Sequence, residues 1–308
     1  MRMPRIPQYE AKGYVDGFEE KAQELFRNCF GGREFNDKAW EWQFKNNPCL
    51  TKRVTTLWDN DILVALTALT PAYATVDGKQ AICAVSGTTM ARNDYRGVSI
   101  QLVLESGNQN TDIEFKYSFP NKQAFRIATQ FYGHHYVGDI AFWTRVPQKI
   151  EVDKHITKFT MFTSEHGELY KDLAKQHFFI KNRDEKYLNW RFVDKPHSGY
   201  ELYQYVDDKI TGYIVINEYC EGEEKHLQVI DIIANDKNVF SQLLRFAINQ
   251  GYERKDDIVK LWMTSKIYKK SLEELSFTYG KQPFQMTVWD RDIVLDDTYF
   301  TMSDSDVF

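Results

Sequence analysis

The sequence predicts an α/β fold built from two successive units, and three observations carry that prediction. In residues 81–109 a strand of small and apolar residues runs into a polar turn at Asn93-Asp94. An amphipathic helix with Ile100, Val103 and Leu104 on one face follows. Beyond Pro147 the pattern restarts, because Trp42-x-Phe44-x-x-x-Pro48 recurs as Trp190-x-Phe192-x-x-x-Pro196, an offset of 148 (190 − 42). The third observation is capacity: 308 residues, 43% apolar and 15% aromatic, suffice for two ordinary cores.

The first unit reads in order as follows. Residues 16–30 form an amphipathic helix stopped by Gly31-Gly32, and Asn36 caps a second helix carrying Trp40, Trp42 and Phe44 until Asn47-Pro48 breaks it. Strands 53–58 and 62–74 join through Asp59-Asn60, and Asp77-Gly78 turns the chain into the central strand. After the 81–109 unit, residues 113–119 alternate as a strand, Asn121 caps a helix running to Tyr132, and residues 136–146 read as one further strand. The aromatics Trp40, Trp42 and Phe44 read as core packing, since the second unit repeats Trp190 and Phe192.

The duplication extends beyond the aromatics. Asp59-Asn60 maps onto Asp207-Asp208 and Ile62 onto Ile210 at the same offset of 148 (207 − 59), whereas Gln101-Leu102 maps onto Gln242-Leu243 at 141 (242 − 101). The second copy is thus expected to lack seven residues (148 − 141) between central strand and helix. There the first copy carries Arg96-Gly97, a turn whose free N–H groups, cation and missing side chain suit an anion such as a pyrophosphate. We expect domains at 1–148 and 149–290, the second without this loop, and an acidic tail at 291–308.

A net charge of −5, with no long Lys/Arg block, argues against a nucleic-acid surface. No apolar run reaches membrane-spanning length and the N-terminal residues do not resemble a leader, so the expected location is the cytoplasm. Cys29, Cys49, Cys83 and Cys220 lie far apart without ligand spacing, which indicates neither a metal site nor a disulfide framework. Cys83, inside the central strand, reads as a small buried hydrophobe.

The segment ARNDYRGVSIQLV resembles the acetyl-CoA motif of the GNAT N-acetyltransferase superfamily, Arg/Gln-x-x-Gly-x-Gly/Ala. The motif falls on Arg96, Ser99 and Gln101, so both glycine positions are replaced while Gly97 survives between them. Residues 117–138 are similar to the second part of that signature. The stretches YLNWRFVDKP and YFTMSDSDVF resemble tandem GNAT-type proteins of bacterial cell-surface polysaccharide biosynthesis. The resemblance implies two tandem GNAT-like domains, each a mixed, mostly antiparallel sheet with flanking helices, and acetyl-CoA as co-substrate. By the same resemblance Thr89, Met90 and Ala91 present backbone to the pantetheine arm. Arg96, Gly97, Val98, Ser99, Ile100 and Gln101 hold the pyrophosphate, with the Gln101 side chain turned away from the loop, and Asn121 lies beside the pantetheine.

Attack of an amine on a thioester asks for a base, a donor for the oxyanion and an acid for the thiolate. Many family members place a carboxylate early on the central strand, where this chain reads Lys79, Gln80, Ala81 and Ile82. Ala128 and Thr129 stand where the family's tyrosine acid is usual, which makes Tyr132, one turn later, the leading acid. The base candidates are Glu114, then Asp304, Asp306 and the terminal carboxylate of Phe308 in the acidic tail, with His134 and His135 ranked lower. A tail of this kind either folds back into the first domain or stays solvated. The expected activity is transfer of an acetyl group to a primary amine of a small molecule, an amino sugar being the expected acceptor. The alternatives are a catalytically silent GNAT-fold binding module and an aminoacyl or peptidyl transferase of cell-wall synthesis.

Overall fold

A computed structural model describes residues 8–31, 36–49, 52–95, 97–280, 284–289 and 291–305. The first half of the chain runs β1 (Glu10–Lys12), α1 (Glu19–Cys29), α2 (Asp37–Trp40), β2 (Arg53–Asp59), β3 (Ile62–Val76), β4 (Lys79–Ala91), α3 (Val98–Gln109), β5 (Phe115–Ser118), α4 (Lys122–Phe131), β6 (His134–Ile140) and β7 (Trp143–Arg145). The second half repeats the plan with β8 (Ile156–Phe159), α5 (Ser164–Glu168), α6 (Tyr170–Ala174), β9 (Phe179–Lys181), α7 (Glu185–Leu188), β10 (Glu201–Val206), β11 (Ile210–Glu221), β12 (Glu224–Ala234), α8 (Lys237–Arg254), β13 (Ile258–Leu261), α9 (Lys266–Glu274), β14 (Thr278–Tyr279), β15 (Phe284–Trp289) and β16 (Thr298–Tyr299).

Turn chemistry sets the hairpins. Asn60, Asp77 and Gly78 all adopt positive φ, as tight two-residue turns require, and Asn36 caps α2 by accepting from the Ala39 N–H at 3.0 Å. Both α2 and α7 then widen into a π-turn: Asn46 N–H reaches Glu41 O, and Asp194 N–H reaches Asn189 O, each at 2.9 Å. The two π-turns stand at the same offset of 148 (189 − 41) as the sequence repeat. Trp42 and Trp190 meet across them, their rings stacked at 4.7 Å and each indole N–H donating to the other's carbonyl, at 2.6 and 2.8 Å. The repeated tryptophans are therefore the joint of the duplication, placed on its pseudo-twofold axis.

The sheets do not follow the two halves strictly. The first sheet runs β1-β2-β3-β4-β5-β15-β6, and the second runs β14-β7-β13-β12-β11-β10-β8. Each half lends the other one strand: β15 enters between β5 and β6, and β7 enters between β13 and β14. This exchange corrects the single strand expected over 136–146, which instead breaks at Ala141-Phe142 where the chain leaves one sheet for the other.

The C-terminal segment is not a solvated tail. Residues 298–305 are buried, β16 pairs with β9, and β9 pairs with β3. Phe115, Phe179 and Phe300 stack in a column, at 4.2 and 4.8 Å, that ties β5 to β9 and to this segment. A second correction concerns α3. Its buried face is Val98, Leu102 and Ser106, while Ile100 and Leu104 lie about 200° away around the helix and are 49% and 60% exposed.

Candidate functional site

The site grows from the way β4 parts from β5. The two pair in parallel only from Cys83↔Phe115 to Val85↔Tyr117, and β4 then runs on to Ala91 without β5 beside it. Pro120, two residues past the end of β5, cannot donate to a ladder, which supplies a local reason for the split. At the mouth of the split, one β3 residue faces Gly87 and Thr88 of β4, a bulge that re-aims the backbone. Arg92 N–H donates to Val64 O at 2.9 Å, so by ladder alternation Met90 spends its backbone groups on β3, while Thr89 and Ala91 turn theirs to the open side. Of the three residues expected to present free backbone, Met90 is thus corrected. The Ala91 carbonyl accepts from the Cys29 thiol at 3.5 Å.

Gly97 opens α3 in a left-handed conformation, φ 71°, that few other residues adopt without strain. Among the described residues no side chain caps this end, and its first turn holds no acid, which leaves the positive end of the helix available to an anion. Val98 is packed in the core; Ser99 and Ile100 are exposed on the first turn. The Gln101 side chain clamps the backbone of Tyr9, accepting from its N–H at 3.0 Å and donating to its carbonyl at 2.7 Å. It is therefore not available to a phosphate. Arg96 lies outside the described residues.

Asn121 closes the far side of the notch, its Oδ1 accepting from the Ala124 N–H at 2.9 Å to start α4. Lys122 and Arg126, one turn apart, line a groove on the same helix. They are cations the sequence reading missed, although their i, i+4 spacing was visible.

Other expected residues are placed elsewhere. Glu114 donates its N–H to Ile82 O at 2.9 Å, at the end of β5 remote from the split, because the parallel register starts there; it is corrected as a base at the notch. Tyr132 ends the helix that Asn121 begins, about 16 Å along its axis, and burial raises its phenol above the ordinary value. His134 and His135 sit on β6, bonded to Thr287 and Asp292. Asp304 is fully buried: its Oδ2 accepts from Arg183 at 2.9 Å and from the Thr301 N–H at 2.8 Å, so it is committed to an ion pair rather than free as a base. Asp306 and Phe308 lie outside the described residues. Burial pushes the Cys83 thiol up to about 12, as suits an inert hydrophobe. Among the described residues no cluster of His, Cys, Asp or Glu suits a metal ion, and no helix is long and apolar enough to cross a membrane.

Where the two π-turns meet, the seam between the halves holds a partly open cavity of about 70 Å³. Val85, Trp42, Trp190, Lys181 and Lys195 wall it, and Ser303 and Ser305 bring the C-terminal segment to its edge. Sequence spacing hid this site, since its walls come from five separated stretches of chain.

No family model matches the sequence, and no curated protein does. The likeness is one of structure, and it defines the chain as having the acyl-CoA N-acyltransferase (GNAT) fold in two tandem copies. A GCN5-related N-acetyltransferase of Anabaena variabilis superposes with a TM-score of 0.70 at 16% identity, over 91% of this chain and 72% of that one. An Enterococcus faecalis protein described as a probable N-acyltransferase gives 0.66 at 14%, over 94% and 73%. Saccharomyces cerevisiae N-myristoyltransferase with bound myristoyl-CoA gives 0.60 at 13%, over 95% and 85%.

Proposed function

We propose that the chain is an acyl-CoA-dependent N-acyltransferase whose first-half notch holds the thioester and whose seam cavity takes a primary amine. One observation carries the reading: a bulged, half-unpaired strand runs from Val85, which lines the seam cavity, through Ala91 toward the helix N-terminus at Gly97. The amine lone pair attacks the thioester carbon, the C–N bond forms, the C–S bond breaks, and the thiolate leaves with a proton. Free N–H groups in the bulged stretch are suited to polarise the carbonyl oxygen. Asp306, the residue after Ser305 in the sequence, is the first carboxylate to test as base. Acetyl is the acyl group we assign and an amino sugar one acceptor class, with the cytoplasm, where acyl-CoA is made, as the place of work. A silent binding module is the second reading, favoured by the commitment of Gln101 and Asp304 to structural bonds.

Thermal unfolding with and without acetyl-CoA decides first. A ligand that binds only the native state raises the transition, by about 2.7 kcal/mol at a hundredfold excess over its Kd. Ser99→Asp is the control, because a carboxylate there favours the helix end yet repels phosphate. We expect a clear rise for the native chain and its loss in Ser99→Asp. No rise at millimolar acetyl-CoA sinks the reading, and a rise without CoA release against any amine leaves the silent module.

A further inference from the structure

Two of the buried cations at the seam have carboxylates beside them. Arg183 is bonded to Asp231 and Asp304, and Lys181 faces Asp304 at 3.7 Å. Lys195 is different. Its Nζ donates to the Tyr200 hydroxyl at 2.9 Å and lies over the rings of Tyr200 and Trp42, at 5.3 and 5.7 Å, and among the described residues no carboxylate pairs with it. Arg191 donates to the same hydroxyl at 3.1 Å from the adjoining wall. Burial lowers the Lys195 ammonium below its ordinary value and Arg191 lowers it further. At Tyr200 burial acts to raise the phenol, but the two cations outweigh it and hold the phenol low.

A plain amine enters solution at neutral pH as a cation, and this wall repels it. An amine that also carries an anion is drawn in, and beside these cations its ammonium gives up a proton more readily, which is the form that attacks a thioester. We propose that the acceptor is an amine bearing a compact anionic group, a carboxylate or a phosphate, seated on Lys195 with its amine toward Val85. The proposal rests on the acyltransfer reading and narrows its substrate class. Lys195 and Val85 line the same cavity, which sets the anion close to the amine.

The test uses the whole chain, acetyl-CoA and matched acceptor pairs: glycine against glycinamide, and phosphoethanolamine against ethanolamine, read as CoA release. We expect one anion-bearing member to exceed its anion-free partner at least tenfold in kcat/KM, the pair in which this occurs telling carboxylate from phosphate. In Lys195→Met that preference should fall to within about threefold, chiefly through KM, while Lys195→Arg retains most of it. Equal kcat/KM within both pairs, or a preference untouched in Lys195→Met, overturns the proposal. Where no amine of any kind releases CoA, thermal shift with glycine and phosphoethanolamine alone separates the two readings. A rise present in the native chain and absent in Lys195→Met sustains the anion seat though transfer has failed, and no rise overturns the seat as well.

Discussion

The two halves carry the same notch, and among the described residues only the second is filled. In the second half β12 and β13 pair in parallel up to Val229↔Leu261, as β4 and β5 do up to Val85↔Tyr117, and Ile230 forms the matching bulge against β11. There the chain's own C-terminal segment enters the gap. Tyr299 donates its hydroxyl to Ile232 O, Thr301 donates to Asp231 at 2.8 Å, and Phe300 N–H donates to the Thr264 hydroxyl at 2.9 Å. The helix beyond is closed too, since Asp236 accepts from the Asn238 and Val239 N–H groups at 2.8 and 2.9 Å, where α3 has Gly97 and no cap. The repeat thus holds one unfilled notch and one filled notch, distinguished by a plug and a cap.

The largest effect tests the plug. Arg183 is fully buried and bonded to both Asp231 and Asp304. Burial alone acts to raise the Asp231 carboxyl, but Arg183, Thr301 and Tyr213 together hold it low. Removing the cation in Arg183→Met leaves both carboxylates without their main partner, which costs about 3–5 kcal/mol for a broken buried pair. Urea unfolding measures it. A loss under about 1 kcal/mol means the network is not what holds the segment in the second notch.

The duplication was legible because Trp42, Phe44 and Pro48 sit at a π-turn and its exit, where local geometry demands those residues and the repeat preserves them. The α3 turn was legible for the same reason, since strand, turn and helix are consecutive. The strand exchange was not, because β15 differs from a strand of its own half only in its distant partner. Asp304 read as a tail carboxylate because its counter-charge, Arg183, lies 121 residues away. Glu114 was misplaced by four residues of parallel register, which no spacing within β5 records. Ile100 and Leu104 drew attention as an apolar stripe although the core takes the smaller-looking face of Val98, Leu102 and Ser106.

A middle-sized effect asks whether the halves respond alike to acid. Each has a depressed carboxyl: Glu19, beside Lys45 and Tyr14, and Glu201, beside Arg254, Lys158 and Tyr203. In both, burial acts to raise the group and is outweighed, for Glu19 by its own backbone N–H and then these partners and for Glu201 by its partners, holding it at about 2. A carboxyl lowered on folding stabilises the chain above its unfolded value of about 4.3, and that contribution is lost as pH falls through its folded value. Glu201→Gln is therefore expected to cost about 2 kcal/mol at pH 7. The difference from the native chain should close as the pH approaches 2. A gap that stays constant with pH assigns the loss to packing instead of charge.

The smallest effect bears most directly on the comparison. Asp236→Ala removes the carboxylate that occupies the first turn of α8, for a cost of about 1 kcal/mol. If the cap alone denied the second half a ligand, the freed N–H groups would now resemble those of α3, and acetyl-CoA would stabilise an Asp236→Ala, Ser99→Asp double variant whose first site is blocked. The plug predicts no stabilisation, because residues 298–301 still fill the gap the pantetheine would need. Calorimetric titration of the double variant separates the two, and heat of binding there would mean that the buried segment yields to ligand and that the second notch is a site held shut.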